Sequence, residues 1–113
     1  MQIQEESDNA VTVLAVAGRL DAEAARQFGD RLAALIRDGR SRLLIEASKL
    51  DYVGSLGLRA MLIAARQAAD ADGCLALCSL TAPVHRVIEL GGFGSVFDSY
   101  PSRAEAVAKL AAA

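Results

Sequence analysis

The chain is poor in the residues on which many binding and catalytic sites depend. Its 113 residues include no tryptophan, one histidine, two cysteines and 4% aromatic residues. A surface that stacks the bases of single-stranded nucleic acid needs several aromatic side chains. The net charge of −2 also gives no electrostatic attraction towards nucleic acid or an anionic membrane. The composition therefore argues against nucleic-acid binding and against binding to a membrane surface.

Long apolar runs and an export signal are also missing. The apolar runs stop well short of the roughly 20 residues that a membrane-spanning helix needs. The first residues, Met1 to Glu6, contain neither a basic stretch nor an apolar segment of the kind that directs secretion. We therefore expect a cytoplasmic protein with no direct membrane insertion. Hydrophobic residues make up 53% of the chain, which predicts one domain over residues 1–113 with an aliphatic core.

The two cysteines, Cys74 and Cys78, lie in one predicted strand. Four residues of strand separate their Cα atoms by roughly 13 Å, about twice the separation that a disulfide permits. Two thiols and the lone His85 are also too few ligands for a zinc site. We therefore expect two buried free thiols, no metal site and no cofactor.

Strands and helices are predicted to alternate in the order β-β-α-β-α-β-α-β-α. This order predicts an α/β fold: a mixed, mostly parallel sheet of four to five strands with an antiparallel N-terminal edge, flanked by four helices. The expected strands are a hairpin of residues 3–5 and 11–17 around a turn at 7–9, then 43–47, 74–79 and a short strand near 96–97. The expected helices are 21–38, 55–70, one from about 81 to 91, and one after Ser102, with a loop over 48–54.

Ser55, at the start of the second predicted helix, is the strongest candidate for a functional residue. Serine is a preferred N-cap, so helix capping by itself is one explanation for its presence. Gly54 and Gly57 flank it and would leave the backbone open to close approach by another protein, with Leu56 exposed beside the hydroxyl. A phosphate on Ser55 would be tolerated by the free N–H groups and the positive end of the helix dipole. The same phosphate would disrupt an apolar or acidic contact, so its addition could control binding.

One enzymatic pattern is nearly present. The segment Val53 to Gly57 lies between a strand and a helix, as does the Gly-x-Ser-x-Gly turn that carries the nucleophile of many hydrolases. Val53, however, stands in place of the first glycine, and His85 lies just inside a predicted helix. The chain is also short for enclosing a typical substrate pocket. Hydrolysis is therefore a minor alternative, and His85 is interpreted as a surface or partly buried histidine.

Two segments, Gly18-Arg19-Leu20-Asp21 and Leu44 to Leu58, together resemble the STAS domain of anti-sigma factor antagonists. The resemblance extends over essentially the whole chain and implies a STAS-like fold in a bacterial partner-switching protein without catalytic activity. In such systems the unmodified antagonist binds an anti-sigma factor, usually a GHKL-type serine kinase, and frees the sigma factor. The kinase phosphorylates a serine at the start of this helix and a serine phosphatase restores it. By position, that serine is Ser55.

The candidate residues for binding the partner are Asp21, Gly54, Leu56, Gly57 and Arg59. Asp21 is a helix cap whether or not it contacts a partner, and Arg59 is interpreted as a solvated surface charge in preference to an interface residue. The family usually has aspartate at the position of Gly54 and often a second serine at that of Leu56. The missing aspartate removes a charge that could orient the serine or a metal-bound nucleotide. The resemblance therefore supports partner binding more firmly than phosphorylation.

A second role is a non-switching STAS subunit of a larger assembly, such as a stressosome-like complex or the cytoplasmic part of a lipid or anion transporter. In that role Ser55 would dock a partner or cap its helix with little turnover of phosphate. For the chain itself we expect a monomer or a weak homodimer.

Overall fold

The computed structural model describes residues 1–112, which form a five-stranded sheet and four helices. The strands are β1 (Gln2–Asp8), β2 (Val11–Leu20), β3 (Arg42–Val53), β4 (Cys74–Cys78) and β5 (Asp98–Tyr100). The helices are α1 (Ala22–Arg37), α2 (Ser55–Asp70), α3 (Ala82–Leu90) and α4 (Arg103–Ala112). The predicted α/β fold and element order are confirmed.

The strands lie in the sheet in their chain order, β1-β2-β3-β4-β5. β1 and β2 are antiparallel, while the remaining neighbours are parallel. The hairpin turn is Asn9-Ala10, with φ of 50° and 68°, rather than the predicted 7–9. A two-residue hairpin turn of the favoured hand needs positive φ at both residues, and β1 therefore extends through Asp8.

Helices cover the two faces of the sheet unequally. Successive residues of a strand point to opposite faces, so Leu14 and Val16 join the core under α1, α2 and α3, while Val11 and Val13 join a smaller core under α4. The larger core holds the aliphatic side chains of three helices around Phe28. The larger core lies on the face covered by α2, the helix that begins with Ser55.

The structure corrects two strand predictions. β3 does not end near Ala47 but continues through the predicted loop to Val53. Its pairing with β2 shifts register twice, and its buried residues Ala47, Leu50 and Val53 therefore recur every third position. The last strand is Asp98–Tyr100 instead of residues 96–97, because pairing with β4 begins at Asp98, while Phe97 packs in the larger core.

Candidate functional site

The two sequence segments that carry the family resemblance meet where strands β2 and β3 end, at the carboxyl end of the parallel strands. Leu20 and Val53, the last residues of β2 and β3, are register partners in parallel strands. The amide of Gly54 donates a hydrogen bond to the carbonyl of Leu20 over 3.0 Å. Asp21 and Gly54 therefore follow directly from adjacent strand ends, where α/β proteins commonly place their binding sites.

Asp21 is the N-cap of α1, as predicted. Its Oδ1 accepts a hydrogen bond from the amide of Ala24 over 3.0 Å, and its backbone is extended. The side chain is half-buried. Asp21 therefore has a structural function that accounts for its presence at this position, whether or not a partner contacts it.

Ser55 is not a helix cap, which removes capping as the explanation for a serine at this position. Gly54 is the N-cap of α2, with φ of −88° and ψ of 175°, and Ser55 is the first helical residue. Ser55 is exposed, and within residues 1–112 its hydroxyl has no hydrogen-bond partner. The first turn of α2 carries no acidic residue, so its positive end is not offset there. The hydroxyl therefore points to solvent without a role in holding the fold.

Gly54 lies under the ring of Tyr52. A Cβ at position 54 would be 3.1 Å from the Tyr52 hydroxyl, tighter than ordinary contact. The guanidinium carbon of Arg19 lies 4.2 Å from the centre of the same ring, a cation–π geometry. An aspartate at position 54 would therefore require Tyr52 to move. Arg19 and Tyr52 were not predicted as site residues, although each stands two positions before a residue that was.

The sequence analysis expected Gly57 to leave the backbone open to a partner, and the structure shows otherwise. It is buried, and a Cβ there would lie 2.7 Å from Leu20 Cγ and 2.9 Å from the Leu20 carbonyl oxygen. The glycine allows α2 to approach the end of β2. Its direct contact is therefore with the core, which corrects the expectation that it lines the binding surface.

Leu56 and Arg59 lie on the exposed side of α2. Leu56 retains 49% of its accessible surface, while Leu58 is buried in the core. Arg59 is exposed and, among the described residues, forms no ion pair. Both side chains face a groove between α1 and α2 that also involves Ile63, which the sequence pattern did not single out.

The remaining candidate groups lie elsewhere. Cys78 is buried and Cys74 only half-buried, and both are free thiols. Burial raises the pKa of each thiol above its ordinary value. His85 Nε2 lies 3.6 Å from Glu89 Oε1 on the exposed face of α3. No helix within residues 1–112 has both the length and the apolar character of a membrane span.

Comparisons with known proteins extend over nearly the whole chain. The family model described as "Mlab, STAS domain" matches residues 3–98. BtrV of Bordetella bronchiseptica, which bears the name of an anti-sigma factor antagonist, is 32% identical over 108 residues, or 96% of this chain and 93% of that protein.

Solved structures show the same fold at lower identity. An anti-sigma factor antagonist from Mycobacterium paratuberculosis is 23% identical, with a TM-score of 0.86 over 96% of this chain and 92% of that chain. Unphosphorylated SpoIIAA is 20% identical, with a TM-score of 0.84 over 99% and 98% of the two chains. A structure of Bacillus SpoIIAA in its phosphorylated form also matches, with a TM-score of 0.74.

Proposed function

We propose that this chain, which belongs to the STAS domain family, is an anti-sigma factor antagonist that binds its partner through the surface around Ser55. The partner is an anti-sigma factor of the serine-kinase type, and phosphorylation of Ser55 releases it. A serine phosphatase reverses the modification. The chain acts by binding in the cytoplasm and not as an enzyme.

The observation that carries this proposal is the Ser55 hydroxyl itself. It is exposed, has no hydrogen-bond partner within residues 1–112, and lies beside the exposed Leu56. Since Gly54 and not Ser55 occupies the N-cap position of α2, the Ser55 hydroxyl has no capping role in the fold. A kinase can reach such a group without unfolding any part of the domain.

A phosphate on Ser55 would be compatible with the fold and incompatible with the complex. It would meet the first N–H groups of α2, where no acidic side chain competes. It would also stand one helical turn before Arg59, and an anion four residues before a cation is the favourable order on a helix. Covered by an apolar partner surface, however, its charge of about −1.5 to −2 would lose its hydration. Phosphorylation should therefore weaken binding with little effect on stability.

The first test is phosphorylation in vitro. We expect incubation with the cognate anti-sigma kinase, ATP and Mg²⁺ to add one phosphate, detected by intact-mass spectrometry and located by peptide mapping. Ser55→Ala should abolish the modification because the first turn of α2 contains no other hydroxyl side chain. Ser48→Ala, at an exposed serine in β3, is the matched control and should be modified normally. Phosphate on Ser48, or modification of Ser55→Ala, would contradict the site assignment.

A charged substitution at position 55 tests the link between charge and binding. Ser55→Asp should weaken binding to the kinase at least tenfold, or about 1.4 kcal/mol, as measured by calorimetry. Its thermal midpoint should stay close to that of the unmodified chain, because the hydroxyl supports no contact in the fold. A large drop in the midpoint would assign Ser55 a structural role and remove the basis of the proposal.

A further inference from the structure

The α1–α2 groove is a surface cleft of about 390 Å³ between the two helices that flank the candidate site. Five of its six small lining residues are buried or half-buried, while Ala22 and the two large aliphatic residues are exposed. The five are Ala25, Gly29, Ala33, Ala60 and Ala64, and the large ones are Leu56 and Ile63.

The two exposed aliphatic side chains lie on one side of α2. Leu56 and Ile63 retain 49% and 48% of their accessible surface. A separation of seven residues places them two turns apart, about 10 Å along the helix axis. A helix lying alongside α2 in the groove would meet them with apolar side chains at its positions i and i+7, a spacing typical of helix-in-groove binding.

Gly29 is explained by the groove better than by the fold. It lies inside α1, where glycine costs about 1 kcal/mol relative to alanine. A Cβ at this position would lie 3.6 Å from Ala60 Cβ, which is ordinary contact. The packing of α1 on α2 would therefore accept alanine. What the missing methyl group provides is depth in the groove.

The charges around the groove favour an acidic occupant. Arg26 and Arg59 line it and form no ion pair within residues 1–112, and Asp30 is its single acidic lining residue. A second copy of this chain, docked groove to groove, would bring together two surfaces that each carry two arginines against one aspartate. Such a contact is repulsive, so self-association is disfavoured as the occupant.

We propose that the α1–α2 groove binds an amphipathic helix of the anti-sigma factor. Its apolar side chains lie between Leu56 and Ile63, and its carboxylates pair with Arg26 and Arg59. This inference rests on the proposed function for the identity of the partner. The groove begins beside Ser55, so a phosphate there would repel the acidic helix and compete for Arg59.

The test uses two synthetic helix-stabilised peptides of about four turns with identical leucine faces. One carries glutamates beside the leucines and the other carries lysines at the same positions. Titrated into the full ¹⁵N-labelled chain, the glutamate peptide should shift the amide signals of Gly29, Ala33 and Ala60. We expect it to bind at least tenfold more tightly than the lysine peptide.

Matched variants locate the contact. Ile63→Glu should abolish binding, whereas Leu90→Glu, at an aliphatic residue that is 81% exposed on α3, should not change it. Arg59→Glu should reverse the preference between the peptides, whereas Arg66→Glu, exposed on α2 but outside the groove, should leave it unchanged. Thermal midpoints of all variants establish that each is folded.

Equal affinity for the two peptides, or shifts confined to other surfaces, would overturn the proposal. Concentration-dependent shifts at the groove without peptide would identify a second copy as the occupant and overturn it too. The proposed function fails separately. If Ser55→Asp weakens binding to the anti-sigma kinase but Ile63→Glu does not, the groove assignment is wrong while the switch at Ser55 stands.

Discussion

At the scale of single residues, Gly57 is a position of α2 where the packing leaves no room for a side chain. Alanine there would place its Cβ 2.9 Å from the Leu20 carbonyl oxygen and 2.7 Å from Leu20 Cγ, and a backbone atom cannot turn aside as a side chain can. Overpacking of this kind costs about 1–3 kcal/mol, offset by about 1 kcal/mol of helix propensity. We expect Gly57→Ala to lower the free energy of unfolding by up to about 2 kcal/mol in urea titrations.

Gly29→Ala is the matched control for that substitution. Because Ala60 lies at ordinary contact distance, the propensity gain is not offset, and the variant should be more stable by up to about 1 kcal/mol. The urea midpoint should rise without a change in slope. If the two alanine variants moved stability in the same direction, contact with Leu20 would not be the reason for a glycine at position 57.

At the scale of elements, periodicity predicted the segments that keep one regular pattern and failed where the pattern changes. The helices α1 and α2, the order of strands and helices along the chain and the N-cap at Asp21 were predictable from spacing and capping residues alone. The C-terminal half of β3 was not, because two register shifts place Ala47, Leu50 and Val53 inward at every third residue. A period of three predicts neither a regular strand nor a regular helix, so this segment was interpreted as a loop.

The candidate site divides in the same way. Ser55 and Leu56 were found because a strand end, a glycine and a helix start are local features. The groove was not found, because it exists only once α1 packs on α2. The sequence signal was a second apolar stripe on α2, Leu56, Ala60 and Ile63, outside the stripe that faces the core. The contact of Arg19 with the Tyr52 ring required the register of β2 and β3, which the chain alone does not give.

Element-scale contacts also predict how α4 is held to the edge of the sheet. Arg103 Nη2 lies 3.0 Å from Glu6 Oε2 and 3.4 Å from Asp8 Oδ2. The hydrogen bond to Glu6 is the main cause that raises the pKa of Arg103. Arg103→Met keeps the side-chain stem but removes the charge. We expect a loss of about 0.5–1 kcal/mol at low salt, and less at high salt, in urea titrations. Arg66→Met, at an exposed arginine without an ion pair in the described part of the chain, should change stability little, and an equal loss there would refute the ion-pair explanation.

At the scale of the whole molecule, the sheet separates two cores, and the smaller one depends on α4 alone. Ala106, Val107 and Leu110 cover that face, with Cys78 fully buried beneath them. Cys74 lies at the margin of the same core and is half-buried. The exposure of the two thiols therefore depends on whether α4 remains packed on this face of the sheet.

The thiols also predict how stability depends on pH. Burial is the main cause that raises the pKa of Cys74 and Cys78 above 9.0 in the folded chain. The unfolded chain therefore releases these protons first, so it binds fewer protons than the folded chain above that pH. Their contribution to stability is fully present below pH 9 and is lost as the pH rises through the raised pKa values.

Urea titrations from neutral pH to about pH 10 should show this decline in the free energy of unfolding. A Cys74→Ser, Cys78→Ala double variant should show less of it, leaving the part due to Tyr100, whose pKa is also raised by burial. An unchanged decline in the double variant would mean that the thiols ionise as readily in the folded chain as in the unfolded one.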